Sequence, residues 1–334
     1  MKNGANGGRI TSRYSQITAC ALVLLLASGT AAAQAYPSRP VRIVVPQAAG
    51  GGVDIMARSI AQKLTETWGQ QVIVENRPGA NGIIGIEAVA KAKPDGYTLS
   101  GAFTSVLTIN PHVYKSLPYD TFRDFAPISQ TVTNTIVLIV HPSLPVNSVK
   151  ELVALGRSRP GQLDYGSFGV GNMTHLAGEL LRVETGLKMV HVPYKGETPA
   201  LTELIGGQVA LLFAVSSAAA PHIRAGRARL LATGGEQRAT AWPDTPTMIE
   251  AGFPKVQVTG WNGFLAPAGT PPEIIQKVYR DSARHLSAPE LRERLSAIGA
   301  EPAGTTPDQF AEFMKSETEK WLRVSKAAGI YKSQ

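Results

Sequence analysis

Apolar residues recur along this chain in two alternating rhythms. Short apolar runs at Val41–Val45 and at residues 72–75 and 97–100, bounded by Gly, Pro and polar residues, predict strands. Stretches with apolar positions three and four apart predict helices over residues 54–67 and 83–91. Phe125–Val140 reads as a long extended segment. Ser148 and Glu151 have capping-box spacing ahead of a helix over 149–155. Strands at 164–166 and 189–192 alternate with helices at 174–184 and 199–205, the last stopping at Gly206-Gly207. Further strands are expected at 209–213, 230–233, 256–259 and 263–266. The tail predicts helices at 273–285, 290–298 and 307–328, behind the box spacings Thr270/Glu273, Ser287/Glu290 and Thr306/Gln309. Repeated βα units of this kind build mostly parallel sheets with helices on both faces, an α/β fold.

The first 35 residues break the rhythm. They carry Lys2, Arg9 and Arg13 without an acidic residue, then a mainly apolar run over 17–27 and small residues ending Ala33-Gln34-Ala35. This is the pattern of a secretory signal cleaved after Ala35. The run is well short of the roughly 20 residues a membrane span needs. Cys20, the only cysteine, lies near the start of the run, whereas a lipid-acceptor cysteine follows it. The exported chain then has neither a disulfide nor a thiol nucleophile.

Length suits two domains, and 43% apolar with 17% charged residues suits a soluble protein. The formal charge is +8, with three of the cations in the leader. A mildly basic surface favours small anions. The absence of a dense Lys/Arg cluster argues against nucleic acid.

Three glycine-rich turns are candidate anion sites. The first, Gln47 to Val53, follows a strand and opens a helix, so its N–H groups can cradle a carboxylate or simply form a tight turn. Asp54 is expected to cap that helix. The second, Arg77 to Gly85, lacks the first glycine of a dinucleotide fingerprint, and no acidic residue ends the next strand, so a packing role is expected. In the third, Gly166 to His175, Ser167, Asn172 and Thr174 can contact an oxyanion or cap a helix.

Catalytic patterns are sparse. There is no G-x-S-x-G elbow, no H-E-x-x-H pair and no P-loop lysine, and no two histidines have metal-ligand spacing. No metal, cofactor or covalent chemistry is expected. Ser167 with His175 would be the pair for a secreted serine hydrolase, the weaker alternative.

A series of short motifs resembles the Bug-type extracytoplasmic solute receptors, the substrate-binding proteins of tripartite tricarboxylate transporters. They include Tyr36-Pro-Ser-Arg-Pro40, Gly50-Gly51 with Asp54, Val74-Glu-Asn-Arg-Pro-Gly79 and Lys93-Pro-Asp-Gly-Tyr-Thr-Leu99. Ile109-Asn-Pro111, Leu117-Pro-Tyr-Asp120, Phe125-Ala-Pro127 and His175-Leu-Ala-Gly-Glu179 continue the series. His191-Val-Pro-Tyr-Lys-Gly196, Gly206-Gly-Gln-Val209, Pro221-His222 and Ala266-Pro-Ala-Gly-Thr-Pro271 complete it, from Tyr36 to near Ile330. Each is weak alone, but the ordered set is specific.

The resemblance implies a type II periplasmic-binding-protein fold: two α/β lobes joined by two crossover strands around a ligand cleft. Lobe 1 would comprise residues 36–133 and 260–334 and lobe 2 residues 134–259, with crossovers near 131–136 and 258–263. The implied function is a monomeric periplasmic receptor that hands a small organic carboxylate to the membrane subunits of a transporter. A receptor feeding a sensor kinase is the alternative in the same class. The implied ligand residues are Gln47, Ala48, Ala49, Gly50, Gly51 and Gly52 of the first loop and Phe103, Thr104 and Ser105 after the third strand. Ser167, Phe168, Gly171, Asn172, Thr174, Ala214 and Val215 would complete the site from lobe 2.

The chain departs from the family pattern at these places. Gly52 and Val53 stand where hydroxyls are usual, Phe103, Val106, Leu107, Phe168 and Val170 enter polar loops, and Ala214-Val215 replaces a common Asp-Asn pair. All changes run from polar to apolar. The expected ligand is therefore an aromatic or aliphatic mono- or dicarboxylate rather than an amino acid or citrate.

Overall fold

The computed structural model describes residues 36–334. The leader, its cleavage site and Cys20 lie outside the described residues. Ten strands follow in chain order: β1 (Val41–Val45), β2 (Val72–Asn76), β3 (Thr98–Phe103), β4 (Phe125–Val140), β5 (Leu163–Ser167), β6 (Met189–Pro193), β7 (Leu211–Val215), β8 (Arg229–Thr233), β9 (Thr259–Pro267) and β10 (Ala300–Pro302).

The strands form two half-sheets that share β4. In the first, β2, β1 and β3 are parallel, β9 runs antiparallel beside β3, and β4 pairs with β9 as far as Thr135. From Ile136 onward β4 pairs instead with β7 and β8, and β7 leads on to parallel β5 and β6. The switch falls between adjacent residues. Ile136 to Val140 are fully buried, which is why this part of β4 is an unbroken β-branched and leucine run rather than an alternating one. The return passage is equally abrupt: Val258 N–H bonds Gly234 O beside β8, and Thr259 opens β9 in the other half-sheet. Two α/β lobes joined by two crossovers are therefore the architecture, as the resemblance implied.

Helices cover the sheets through 3.6-residue apolar stripes. The helix Gly52–Trp68 buries Met56, Ile60 and Leu64 and ends at Gly69 in the left-handed region (φ 64°). The last helix, Pro307–Ala327, packs Phe310 and Met314 into the lobe 1 core and Trp321 into the lobe 2 core. Between them, buried Glu317 accepts the indole N–H groups of Trp261 and Trp321, each at 3.0 Å.

Several local expectations are corrected. Val256 and Val258 are buried loop residues, and only Thr259 of that run is strand. The strand expected at 209–213 lies two residues later, and the helix expected from Pro199 starts at Glu197. The helix Ser216–Arg224 goes unpredicted because Pro221 sits inside it. Of the three tail boxes only Thr306/Gln309 forms. Thr270 and Ser287 instead donate their hydroxyls backward, to Pro267 O and Ala283 O, both at 2.8 Å. Glu151 reaches Asn147 N–H rather than that of Ser148.

Candidate functional site

Strands β1, β2 and β3 in one half-sheet and β5, β6 and β7 in the other all present their C-terminal ends to the gap between the lobes. Loops at such ends are where open α/β sheets bind ligands. Here they enclose a cavity of about 570 Å³, walled by residues 46–48, 78–82, 168–170 and 193–196 together with Phe103, Tyr114 and Asn172. An annex of about 30 Å³ continues inward, sharing Gln47, Phe103, Phe168 and Asn172 and adding Gly52, Ser105, Asn134, Glu197, Val215 and Asn262. The outer wall pairs two phenylalanines with stretches of small residues, so backbone forms much of it. Among the described residues its single basic member is Lys195, and it contains no acidic residue.

Direct hydrogen bonds hold the lobes together across this gap. Asn172 Nδ2 donates to Asn81 Oδ1 at 2.9 Å, and Met173 N–H donates to Ser105 Oγ at 3.0 Å. Thr198 Oγ1 donates to Ala49 O at 3.3 Å. Asn81 is poised by its own lobe: it sits at φ 52°, ψ 38°, and donates to Asn110 Oδ1 at 2.7 Å. Asparagine tolerates this left-handed conformation better than other side-chain-bearing residues.

The fourth link is the helix N-terminus of the first glycine loop. Gly51 is the N-cap, not Asp54. Asp54, two residues inside the helix, folds back to accept Gly50 N–H at 2.9 Å and binds Arg58 and Asn76. Burial works to raise its pKa, but those three partners outweigh burial and hold it below the usual carboxylate range. The anion at Gly52 N–H is Glu197 of lobe 2, whose Oε2 accepts it at 3.0 Å while Oε1 accepts Val215 N–H at 3.2 Å. Glu197 is 1% exposed, and burial pushes its pKa up to about 7 against the pull of the two N–H donors. A side chain on Gly52 would crowd lobe 2, since a Cβ there would lie 3.1 Å from Ser217 Oγ and 3.3 Å from Val215 Cγ1.

The expected site residues divide into three sets. Gln47, Ala48, Phe103, Phe168 and Asn172 line the outer cavity, and Gly52, Thr104, Ser105 and Val215 reach the annex. Ala49, Gly50 and Gly51 line neither space: Ala49 and Gly50 are exposed, Ala49 O accepts Thr198 Oγ1, and Gly51 caps the helix. Ser167, Gly171, Thr174 and Ala214 line neither space. Thr174 Oγ1 accepts Phe168 N–H, Gly171 packs against Val113, and Ala214 is fully buried in the apolar core. A carboxylate in place of Ala214 would point into that core, so the change from the family's common aspartate at this position does not bear on the choice of ligand.

Ser167 does not pair with His175. Its Oγ lies 2.6 Å from His191 Nε2, while His175 Nδ1 accepts Gly171 N–H at 3.1 Å. The two imidazoles stack at 3.9 Å, with the Tyr165 ring 4.9 Å from His191 and 6.4 Å from His175. Burial, aided by His175, lowers the His191 pKa to about 4. Ser167 is fully buried, so this cluster supports the Phe168 loop from beneath instead of presenting a nucleophile.

The sequence reading missed two walls. The turn assigned to packing does pack at Gly85, where a Cβ would meet Arg77 O at 2.6 Å, but residues 78–82 of the same turn face the cavity. The β6 loop, Pro193 to Gly196, was read only as a family marker. Its position after a parallel strand was the available signal.

This geometry defines a two-lobed solute-binding protein with a half-open cavity between the lobes. The chain matches the model of the tripartite tricarboxylate transporter family receptor over residues 56–330 and belongs to that family. Protein BugT of Bordetella pertussis is 37% identical over 92% of this chain and 95% of its own length. An R. palustris protein solved with adipate is 37% identical, with a TM-score of 0.87 over 89% of this chain and 99% of that one. MatC from Rhodopseudomonas palustris, solved with bound malate, is 31% identical, with a TM-score of 0.82 over 86% of this chain and 99% of its own. Among the described residues no group of three His, Cys, Asp or Glu is placed to hold a metal ion, and no helix is long and apolar enough to cross a membrane.

Proposed function

We propose that this protein is a periplasmic receptor that captures a small organic carboxylate and passes it, unaltered, to the membrane subunits of a tripartite transporter. The observation that carries the reading is the cavity of about 570 Å³ between the lobes, a size suited to a small molecule, with backbone, aromatic faces and Lys195 in its wall and no acidic side chain. Such a wall accepts a carboxylate by dipoles and one cation while excluding bulk water from the apolar remainder. Similarity to proteins solved with adipate and with malate supports the same ligand class. The proposed lobe division at residues 133/134 and 259/260 lies close to the Thr135/Ile136 switch of β4 and to the start of β9, and closure would be a hinge motion about these passages.

A thermal-shift screen of the signal-free protein against carboxylic acids, amines, sugars and nucleotides tests this. A carboxylate at about a hundred times its dissociation constant is expected to stabilise by roughly 2.7 kcal/mol. Stabilisation by sugars or nucleotides alone would overturn the reading.

A further inference from the structure

Resting on the carboxylate-receptor reading, we infer that Glu197 is a specificity residue that admits monocarboxylates and turns away dicarboxylates. Two main-chain donors, one from each lobe, converge in the annex: Gly52 N–H at the start of a helix and Val215 N–H at the end of β7. A helix-start N–H has no partner within its helix and favours an anion. Together they are what the second carboxylate of an extended diacid would need in order to be desolvated there. Both are already taken, Gly52 by Oε2 and Val215 by Oε1 of Glu197.

A ligand carboxylate pushed into the annex would meet carboxyl oxygens instead of free amides. Like-charged groups at contact in a buried site cannot both stay ionised. What the annex still offers is modest. Asn262 Nδ2, on a residue only 5% exposed, makes no hydrogen bond within the protein, and neither does the buried Gln47 Oε1. Buried polar groups of this kind call for a partner. The neutral amides of Asn262, Gln47 and Asn134 and about 30 Å³ suit a neutral group such as a hydroxyl or a carbonyl. The single cation of the outer wall, Lys195, lies on the outer cavity and not in the annex. The polarity of the site thus places the one carboxylate of the ligand in the outer cavity and its neutral end toward Glu197.

Isothermal titration with matched acids tests this: hexanoate, 6-hydroxyhexanoate and adipate, with benzoate and terephthalate as an aromatic pair. Wild type is expected to bind the monoacids at least tenfold more tightly than the corresponding diacids. Glu197→Ala frees both N–H groups and also removes an interlobe link, so whatever change is common to all ligands, it should raise the ratio of diacid to monoacid affinity tenfold or more. Glu197→Gln keeps the side-chain volume, guards against loss of folding in the alanine variant, and should narrow the preference. Equal affinity of wild type for monoacid and diacid, or an unchanged ratio in both folded variants, overturns the role of Glu197 and leaves the receptor reading standing. Failure of all five acids to bind any of the three folded proteins overturns the carboxylate reading, and the inference with it.

Discussion

Asn172 Nδ2 of lobe 2 donates to Asn81 Oδ1 of lobe 1 at 2.9 Å, while its own Oδ1 accepts Thr174 N–H at 3.1 Å as the helix N-cap. One side chain therefore closes the cleft and starts a helix. Asn172→Ala loses both functions and is expected to cost about 1 kcal/mol of stability for the cap alone. Asn172→Ser keeps a capping oxygen without the reach to Asn81. Chemical unfolding should place the serine variant close to wild type, while titration with the best ligand shows weaker binding in both variants. Equal affinity in all three would mean that the amide bridge does not contribute to closure.

Gly52 faces Ser217 and Val215 across the cleft so closely that a Cβ would already press on both, and a larger side chain would need them to part. Gly52→Leu is expected to wedge the lobes apart without harming either core. If closed molecules fall to about one in a hundred, apparent affinity falls roughly a hundredfold. Circular dichroism should be unchanged and small-angle scattering should report a larger radius. A variant as compact and as tight-binding as wild type would contradict the closure geometry.

Two buried groups should give the stability curve opposite slopes. The Glu197 pKa rises from 4.5 to about 7 on folding, so its stabilising contribution is complete below pH 4.5 and is lost as pH climbs through 7. The His191 pKa falls from 6.5 to about 4, so its contribution is complete above pH 6.5 and is lost as pH drops toward 4. Relative to wild type, Glu197→Gln should gain melting temperature as pH rises from 5 to 7.5. His191→Gln should gain as pH falls from 7 to 4.5. Profiles parallel to wild type in both variants would refute the assignments.

Glu317 accepts two indole N–H groups while buried, and Lys320 Nζ donates to it at 2.9 Å. Removing it leaves Trp261 and Trp321 with unpaired donors in the seam where the last helix meets both lobes. Glu317→Ala is expected to destabilise by about 2–4 kcal/mol in urea unfolding. Glu317→Gln, whose carbonyl oxygen can replace Oε2 and accept both indoles while giving up the bond from Lys320, should lose less. A cost below about 0.5 kcal/mol for the alanine variant would show that the seam carries little stability.

The fold was legible because apolar periodicity reports burial, and burial follows the sheets. β4 was read over Phe125–Val140, and its second part was plainest, since a strand segment buried on both faces leaves the unbroken apolar run Ile136 to Val140. Elements that depend on tertiary partners were not legible. The Thr270 and Ser287 caps failed because a hydroxyl can bond backward to a carbonyl as readily as forward to an N–H. Loop positions that face the cavity were read in part: Gln47, Phe103 and Phe168 were foreseen, but residues 78–82 were assigned to packing. Glu197 was missed altogether. Nothing local marks a glutamate at a helix start as the anion of a glycine loop 145 residues away in sequence.

The most direct measurement is a crystal structure of residues 36–334 grown with the tightest-binding acid from the screen. The carboxylate should lie in the outer cavity, hydrogen-bonded to backbone of the loops at residues 46–48, 78–82 or 193–196, with the ligand otherwise unchanged. A ligand bound outside the gap between the lobes, a nucleotide or metal seated within it, or a chemically altered product would contradict the proposal.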